Sequence, residues 1–494
     1  MKKTIVFVGI LLFTTALFAQ NPVRVTRTVF SQDFENTSFG VAQNDTANKA
    51  IVDLGLNIYN APAGTVQNMD YTVQVRNEGG TWHNLFEYNA VNMNKGPFTG
   101  PVTTPVNNQT FSYFDADFRN RIEVRVTKNT GTFTTVRVRP VSFGITSTQT
   151  GNSVSFFLDK PRNLSIEFDN DIYHNLFLYA NALEINPPKN GDAGVTYFGP
   201  GFHNAGTMTL RTGQSIYLAG GAVVNGIING NNIKNASVRG HGILQNGRIL
   251  ISNSAHITIE GLIIINSPGW TIVPSQVDSS LIQNVKIINQ AISSDGTDVS
   301  GCNGLTFDNV FYRIPDDNIS IKCNKVVRPN KNIVIKNSIF WADGAHCVLI
   351  GPEGNGLSTD SVLITNCDFL ESKYPTPDFW GAIGITNGDN MTISNITIEN
   401  SRAENFSCSN LVSIRIDNKN VWTTAPGGPI KNIVFRNITF NGSNVNANYI
   451  KGLDAINAVD NVIFDNLQIN GIHILSAQQG NFLIGPFATS VTFK

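Results

Sequence analysis

Two textures of hydrophobic patterning divide the chain. Between residues 20 and 187, apolar and polar positions alternate over short runs such as TVQVRNEGGTW, RIEVRVTKNTGTFTTVRVRP and SVSFFLDKPRNLSIEF. Runs of period two, broken by Gly, Asn and Pro, predict half-buried strands of an antiparallel β-sandwich. From residue 188 to 494 a repeat takes over, with the stretch from Pro187 to Ala205 as the junction. An apolar-x-apolar-x-Asn/Gly-x-x-apolar unit recurs as SVRGHGIL, TIEGLIII, LIQNVKII, TFDNVFYR, VIKNSIFW, LITNCDFL, TISNITIE, VFRNITFN and IFDNLQIN. Its central residues are Gly240, Gly261, Asn284, Asn309, Asn337, Asn366, Asn395, Asn437 and Asn466, spaced by 21, 23, 25, 28, 29, 29, 42 and 29. One coil of this kind cannot bury its own Val, Ile and Phe, but stacked coils share a continuous apolar core. The recurring Asn marks a turn, where stacked side chains can hydrogen-bond along the ladder. Leucine-rich repeats are excluded by the missing Leu-x-x-Leu-x-Leu spacing, so the second part is read as a β-solenoid.

Residues 1–19 break both patterns. Lys2 and Lys3 precede an apolar run to Phe18 and a small residue at Ala19, the composition of a cleaved secretory signal peptide. The run is short for a membrane span, and the expected location is secreted or periplasmic. The net charge of −1 gives no reason to expect nucleic acid or an anionic membrane as partner. Charged residues are only 14% of the chain, below the roughly 25% of average domains. Four of the five cysteines, Cys302, Cys323, Cys347 and Cys367, are about one coil apart, which reads as small buried residues on successive coils rather than disulfides or metal ligands.

The candidate chemistry lies between Ser293 and Gly351, in SSDG, PDDN and GAHCVLIG. Asp295 precedes Asp316 and Asp317 by 21 and 22 residues, about one coil, and His346 follows about one coil later. In a parallel solenoid such residues stack at roughly 4.8 Å. Three close carboxylates cannot all ionise, so one acquires a raised pKa and becomes a proton donor beside an ionised base, as glycoside hydrolysis requires. Either motif alone would read as turn chemistry. A calcium site or a lyase using Lys322 as base is the rival for the same residues, ranked lower because no further acidic run completes a cage.

These motifs resemble the polygalacturonase family and the dextranase–isopullulanase family of glycoside hydrolases (families 28 and 49). Asp295-Gly296, Asp316-Asp317, and His346 with Gly351 resemble the Asn-Thr-Asp-Gly, Asp-Asp and Gly-His-Gly pattern of polygalacturonases, and NSPGW (Asn266–Trp270) resembles their Asn-Ser-Pro-x-Trp element. VFYRIPDDNISIK, and the preceding sandwich, are similar to the dextranase family. The resemblance implies an all-β fold, an N-terminal antiparallel β-sandwich followed by a right-handed parallel β-helix, and an inverting hydrolase without a cofactor. Asp316 would be the general acid, Asp295 and Asp317 would hold and deprotonate water, and His346 would tune the acid. Polygalacturonases also carry an Arg-Ile-Lys for the substrate carboxylate. This chain has uncharged GAIGIT at the expected distance and RID (Arg415–Asp417) further on, with Asp417 where Lys would stand. That departure favours a neutral, dextranase-like α-linked polymer over galacturonan.

Trp270, Tyr312, Trp341 and Trp380, with Lys322 and Arg415, are the candidate substrate-binding residues, since flat rings pack against sugar faces. Phe379 and Trp422 lie in similar loops. Three function classes therefore stand: a dextranase-like hydrolase, a pectin hydrolase, and a non-catalytic carbohydrate-binding solenoid. The Asp trio argues against the last. The protein is read as a monomer whose partner is the polysaccharide, with the sandwich covering one end of the solenoid.

Overall fold

The structure, a computed structural model, describes residues 51–53, 55–92, 107–291, 293–373, 381–407, 409–442 and 446–494. The expected signal peptide, residues 1–19, lies outside these, as do Phe379, Trp380 and Cys408.

The alternating N-terminal runs form two facing sheets, one of five strands and one of seven among the described residues. In Tyr71–Asn77 and Ile122–Lys128 every second residue is buried, and Val73 and Val75 lie opposite Val126 and Val124. These meet Phe114, Leu164, Ile166 and Leu178 of the other sheet. One pairing departs from the antiparallel expectation: Leu176–Ala182 runs parallel to the strand containing Thr110–Ala116.

From Val195 onward the strands join one 27-stranded sheet that winds up as a parallel β-helix. Each central coil contributes three strands. The first series is Ile263–Ile265, Lys286–Ile288, Phe311–Ile314, Ile339–Ala342 and Asp368–Ser372. The second is Thr297–Ser300, Ile319–Lys322, Val348–Ile350, Gly381–Asn387 and Asn410–Ile416. The third includes Asn303–Asp308, Asn330–Lys336 and Ser358–Thr365. In the second series Val299 pairs with Ile321, which pairs with Ile350, and Ile385 with Ile414 and Ile450 follow, so one file of aliphatic side chains runs up the core. Cys302, Cys323, Cys347 and Cys367 are buried free thiols in the same core.

The Asn repeat forms the corner between the third and first strands. Asn284, Asn309, Asn337, Asn366, Asn400, Asn437 and Asn466 all have left-handed backbone, φ between 51 and 58°. Asn adopts this conformation more readily than other residues with a side chain. Several of these amides also bond to the corner Asn one coil away, for example Asn366 Nδ2 to Asn337 Oδ1 at 2.8 Å and Asn466 Nδ2 to Asn437 Oδ1 at 3.0 Å, whereas Asn337 Nδ2 donates to Asp308 at 2.7 Å. The ladder corrects one element of the repeat. Asn437 bonds to Asn400, 37 residues away, rather than continuing from Asn395, so the apparent 42-residue step disappears. Asn395 belongs to a second ladder with Asn432 and Asn461 at the start of the third strands.

The described residues of the sandwich lie along a flank of the solenoid, not over an end. Its seven-stranded sheet lies along the flank made by the first strands, with Tyr88, Phe111, Tyr113, Phe177 and Tyr179 against Ile243, Ile263, Ile288, Phe311, Trp341 and Leu370. This explains why first strands such as Phe311–Ile314 and Ile339–Ala342 are buried at every position, whereas the third strands alternate. Both faces of these strands meet protein. Polar groups brace the seam: His241 Nδ1 meets Asp115 at 2.7 Å, and the fully buried Lys286, its pKa pushed down to about 7 by burial, donates to Asn181 at 2.5 Å.

The exposed Asn366 isolates the value of the left-handed corner. Asn366→Ala loses both the ladder bond and conformational tolerance, at an expected cost of about 1–2 kcal/mol, whereas Asn366→Gly retains the conformation and costs less. Thermal unfolding of the two variants should rank alanine below glycine.

Candidate active site

The candidate catalytic residues stand at the corner between first and second strands on three consecutive coils. Asp295 precedes Thr297–Ser300, Asp316 and Asp317 precede Ile319–Lys322, and His346 precedes Val348–Ile350. Because Thr297 pairs with Ile319 and Ile319 with Val348, the positions two residues earlier align as Asp295, Asp317 and His346. Backbone bonds continue the register into the turns: Gly296 N–H donates to the Asp317 carbonyl, and Asn318 N–H to that of His346, both at 2.9 Å.

A polar side chain locks each corner. Asn289 accepts from Ser267 N–H at 3.0 Å and donates to the Ser294 carbonyl at 3.1 Å, closing the turn that carries Asp295. The Asn318 amide brackets the backbone of Trp341, donating to its carbonyl at 3.2 Å and accepting from its N–H at 3.0 Å. Asp343 sits between Arg313, at 2.8 and 3.2 Å, and the Trp341 indole N–H at 3.1 Å, fixing the turn that leads to His346.

One oxygen from each of Asp295, Asp316 and Asp317 lies within 4.8 Å of the others. Asp316 accepts from the Ser293 and Asp317 N–H groups, both at 3.0 Å. Burial and the neighbouring Asp317 carboxylate nevertheless raise its pKa to about 7. Burial, with Asp298 and Asp316 nearby, raises Asp295 well above the usual carboxyl range. Asp317 accepts from His346 twice, from the backbone N–H at 3.2 Å and Nδ1 at 2.7 Å. A carboxylate here can only accept, so Nδ1 carries the proton. His346 therefore bonds to Asp317, not to Asp316 as its expected tuning role implied.

Lys322 supplies the counter-charge. Its ammonium, 4% exposed as a residue, lies 2.7 Å from Asp298, 3.2 Å from Glu353 and 3.8 Å from Asp295, and 4.0 Å from the Trp270 ring centroid. Burial opposes its charge, but Asp298, Asp295 and Glu353 hold it protonated. Asp298 itself is raised to about 6, burial outweighing its bond to Lys322.

Of the expected substrate-binding residues, Trp270 and Lys322 join this cluster. Tyr312 and Trp341 do not reach it. Tyr312 points into the helix core, where its hydroxyl meets Thr297 at 3.0 Å, and Trp341 faces the sandwich between the Arg139 and Arg313 guanidinium groups. Both have zero exposure, so neither can stack on a sugar, and adjacent positions on first strands are buried whichever way they point. Arg415 is largely buried and paired with Asp417 at 3.1 Å. Asp298 and Glu353 were not foreseen. Asp298 is adjacent to inward-facing Val299, and only the strand phase tells that it points outward beside Lys322.

The outward side of the second strands continues as an open groove. Thr209, Asn229, Leu250 and Val273 form one file, and pairing of Ile272 with Thr297 makes Asp298 its next member. Arg248, with Nε bonded to the Trp270 carbonyl at 2.7 Å, lines the same depression of about 1000 Å³.

The model for glycosyl hydrolases family 28 matches residues 204–481, more than half the chain and all of the corners described above. The chain belongs to glycosyl hydrolases family 28. This family 28 chain is 27% identical over 168 residues to probable exopolygalacturonase B of Aspergillus niger, covering 31% of the chain and 37% of that relative. It is likewise 27% identical over 213 residues to probable exopolygalacturonase B of Aspergillus fumigatus, covering 38% and 44%. It thus spans less than half the length of these curated relatives. Among solved structures, Dex49A from Penicillium minioluteum superposes with a TM-score of 0.61 at 16% identity over 91% of this chain and 100% of that one, a likeness of fold that extends over more of the chain than the family match.

Asp316 links the site to stability. Between the ordinary carboxyl value and about 7, the folded chain keeps a proton at Asp316 that the unfolded chain has released, so stability falls as pH rises through this window. Asp316→Asn removes that penalty. Its Tm should exceed the parent's at pH 8 by on the order of 2 °C and match it near pH 4.

Proposed function

We propose that this protein hydrolyses glycosidic bonds of a polysaccharide through Asp295, Asp316 and Asp317. The observation that carries the reading is the approach of three carboxylate oxygens within 4.8 Å, one of them on a residue whose pKa is near neutrality. Asp316, raised to about 7, is the general acid that protonates the leaving oxygen. Asp317, which accepts from the His346 Nδ1–H and N–H, takes a proton from water, and Asp295 helps to orient that water. His346 is a positioning residue for Asp317. The short separation is nearer to that of retaining enzymes. Inversion is nevertheless the reading adopted, because two carboxylates flanking one water suit direct attack, whereas a carboxylate nucleophile gains nothing from an anionic neighbour.

The substrate proposed is a neutral, α-linked polymer. Lys322 is paired with Asp298 and Glu353, with Asp295 close by, and Arg415 is paired with Asp417. An arriving uronate would therefore meet cations that are already compensated. Galacturonan is the second reading, favoured by the exopolygalacturonase relatives and by the register that sets Arg415 beside Lys451 one coil on. Residues 1–19 are proposed to direct export and then be cleaved, leaving the sandwich to residue 187 and the helix from residue 188 as the mature protein.

Reducing-sugar release on dextran, pullulan and polygalacturonate tests both parts. Release from a neutral glucan, cut roughly 10²–10⁴-fold by Asp316→Asn, is expected. Release from polygalacturonate alone would overturn the substrate reading. Ultraviolet absorbance from an unsaturated product would indicate a lyase and remove the water-activating roles.

A further inference from the structure

A recess of about 470 Å³ opens where the second strands end, on the opposite side of those strands from the catalytic corners. Strands ending at Lys322, Ile350 and Asn387 are followed by its lining residues Lys325, Glu353, Asn355, Asp389 and Asn390, and Trp422 from a later loop completes it. It is joined to the catalytic cluster through Glu353. One Glu353 oxygen lies 3.2 Å from the Lys322 ammonium, which in turn contacts Asp298 and Asp295, and the other accepts from Asn324 Nδ2 at 2.6 Å.

The Trp422 loop is pinned on both sides. Asp417 N–H donates to the Asn387 carbonyl at 3.0 Å, and the Asp417 carbonyl accepts from Gly427 N–H at 2.9 Å. Asp389 Oδ1 takes the Thr424 and Ala425 N–H groups at 2.6 and 3.0 Å. Within the loop, Asn420 donates to Asp417 at 2.6 Å and accepts from Trp422 N–H at 2.8 Å. Trp422 nonetheless remains 42% exposed. A large apolar ring held at the surface by an ordered loop, beside amides and carboxylates, matches the two faces of a pyranose: C–H groups against the indole, hydroxyls toward the polar rim. Two carboxylates against one ammonium disfavour a uronate in the same space.

We infer that this recess is a remote subsite for a neutral pyranose ring of the polysaccharide chain, with Trp422 as its stacking platform and Glu353 on its catalytic-side rim. The inference rests on the polysaccharide reading above but not on the catalytic roles. A subsite on a fixed loop adds affinity for long chains without ordering costs.

Binding to the inactive full-length Asp316→Asn protein tests this by calorimetric titration with isomaltohexaose, maltohexaose and hexagalacturonate, and with isomaltose and maltose as short probes. Trp422→Ala in that background should weaken a neutral hexaose about five- to tenfold and leave its disaccharide unchanged, while Trp422→Phe keeps most of the affinity. Equal loss for short and long probes, no loss, or Trp422 dependence confined to hexagalacturonate would overturn it. Because binding is read without turnover, a wild-type protein that releases no reducing sugar yet shows this dependence would contradict the catalytic reading and leave the subsite standing.

Discussion

Parallel backbone pairing at a register of one coil brings like charges together that would otherwise avoid each other. The bonds from Gly296 to Asp317 and from Asn318 to His346 are ordinary inter-strand bonds, yet they fix carboxylates one coil apart. A single side chain displaced along its strand would relieve the repulsion, but moving one strand by a residue would also turn the Val299–Ile321–Ile350 file out of the core. The apolar core thus holds the charge cluster in place, and the strain appears as a raised pKa at Asp295, Asp298 and Asp316 rather than as a looser structure.

The sandwich belongs to the same arrangement. It lies along the flank whose first strands lead into the corners that carry Asp295, Asp316, Asp317 and His346, and the groups that lock those corners reach into the seam. Arg313 bonds to Asp343 and also to Asn175 of the sandwich at 2.9 Å, while Trp341 packs between Arg313 and the sandwich's Arg139. A turn supported from the far side by a buried ion pair has little freedom, which suits groups that must meet within hydrogen-bonding distance. Lys322 completes the balance from the groove side, where Asp298 and Glu353 hold it under Trp270.

Much of this was legible in the sequence because a solenoid converts spacing into position. The 22 residues between Asp295 and Asp317 span one coil, and the pattern of Gly and Asn corners located the coils without a template. The misplaced site residues have one cause. Spacing locates the coil but not which side of the strand faces solvent, core or neighbouring sheet. Tyr312 turns inward and Trp341 faces the sandwich, so two rings expected at the substrate are buried. Asp298 and Glu353 went unnoticed because their importance lies in pointing toward Lys322. The repeat spacing points to Asn395 where Asn400 forms the corner, since both lie in Asn ladders of the same long strand. The flanking position of the sandwich left no trace except uninterrupted burial along the first strands, which sequence alone does not separate from apolar richness.

In the proposed reaction the carboxylates activate a water for direct attack instead of forming a covalent intermediate. Proton NMR of the first-formed product, recorded before mutarotation, reports the anomeric configuration. Direct attack by water gives inversion, a β-anomer released from an α-linked polymer. An initial α-anomer would mean that Asp295 or Asp317 is a nucleophile, as the close spacing by itself permits, and would contradict the roles assigned to the trio.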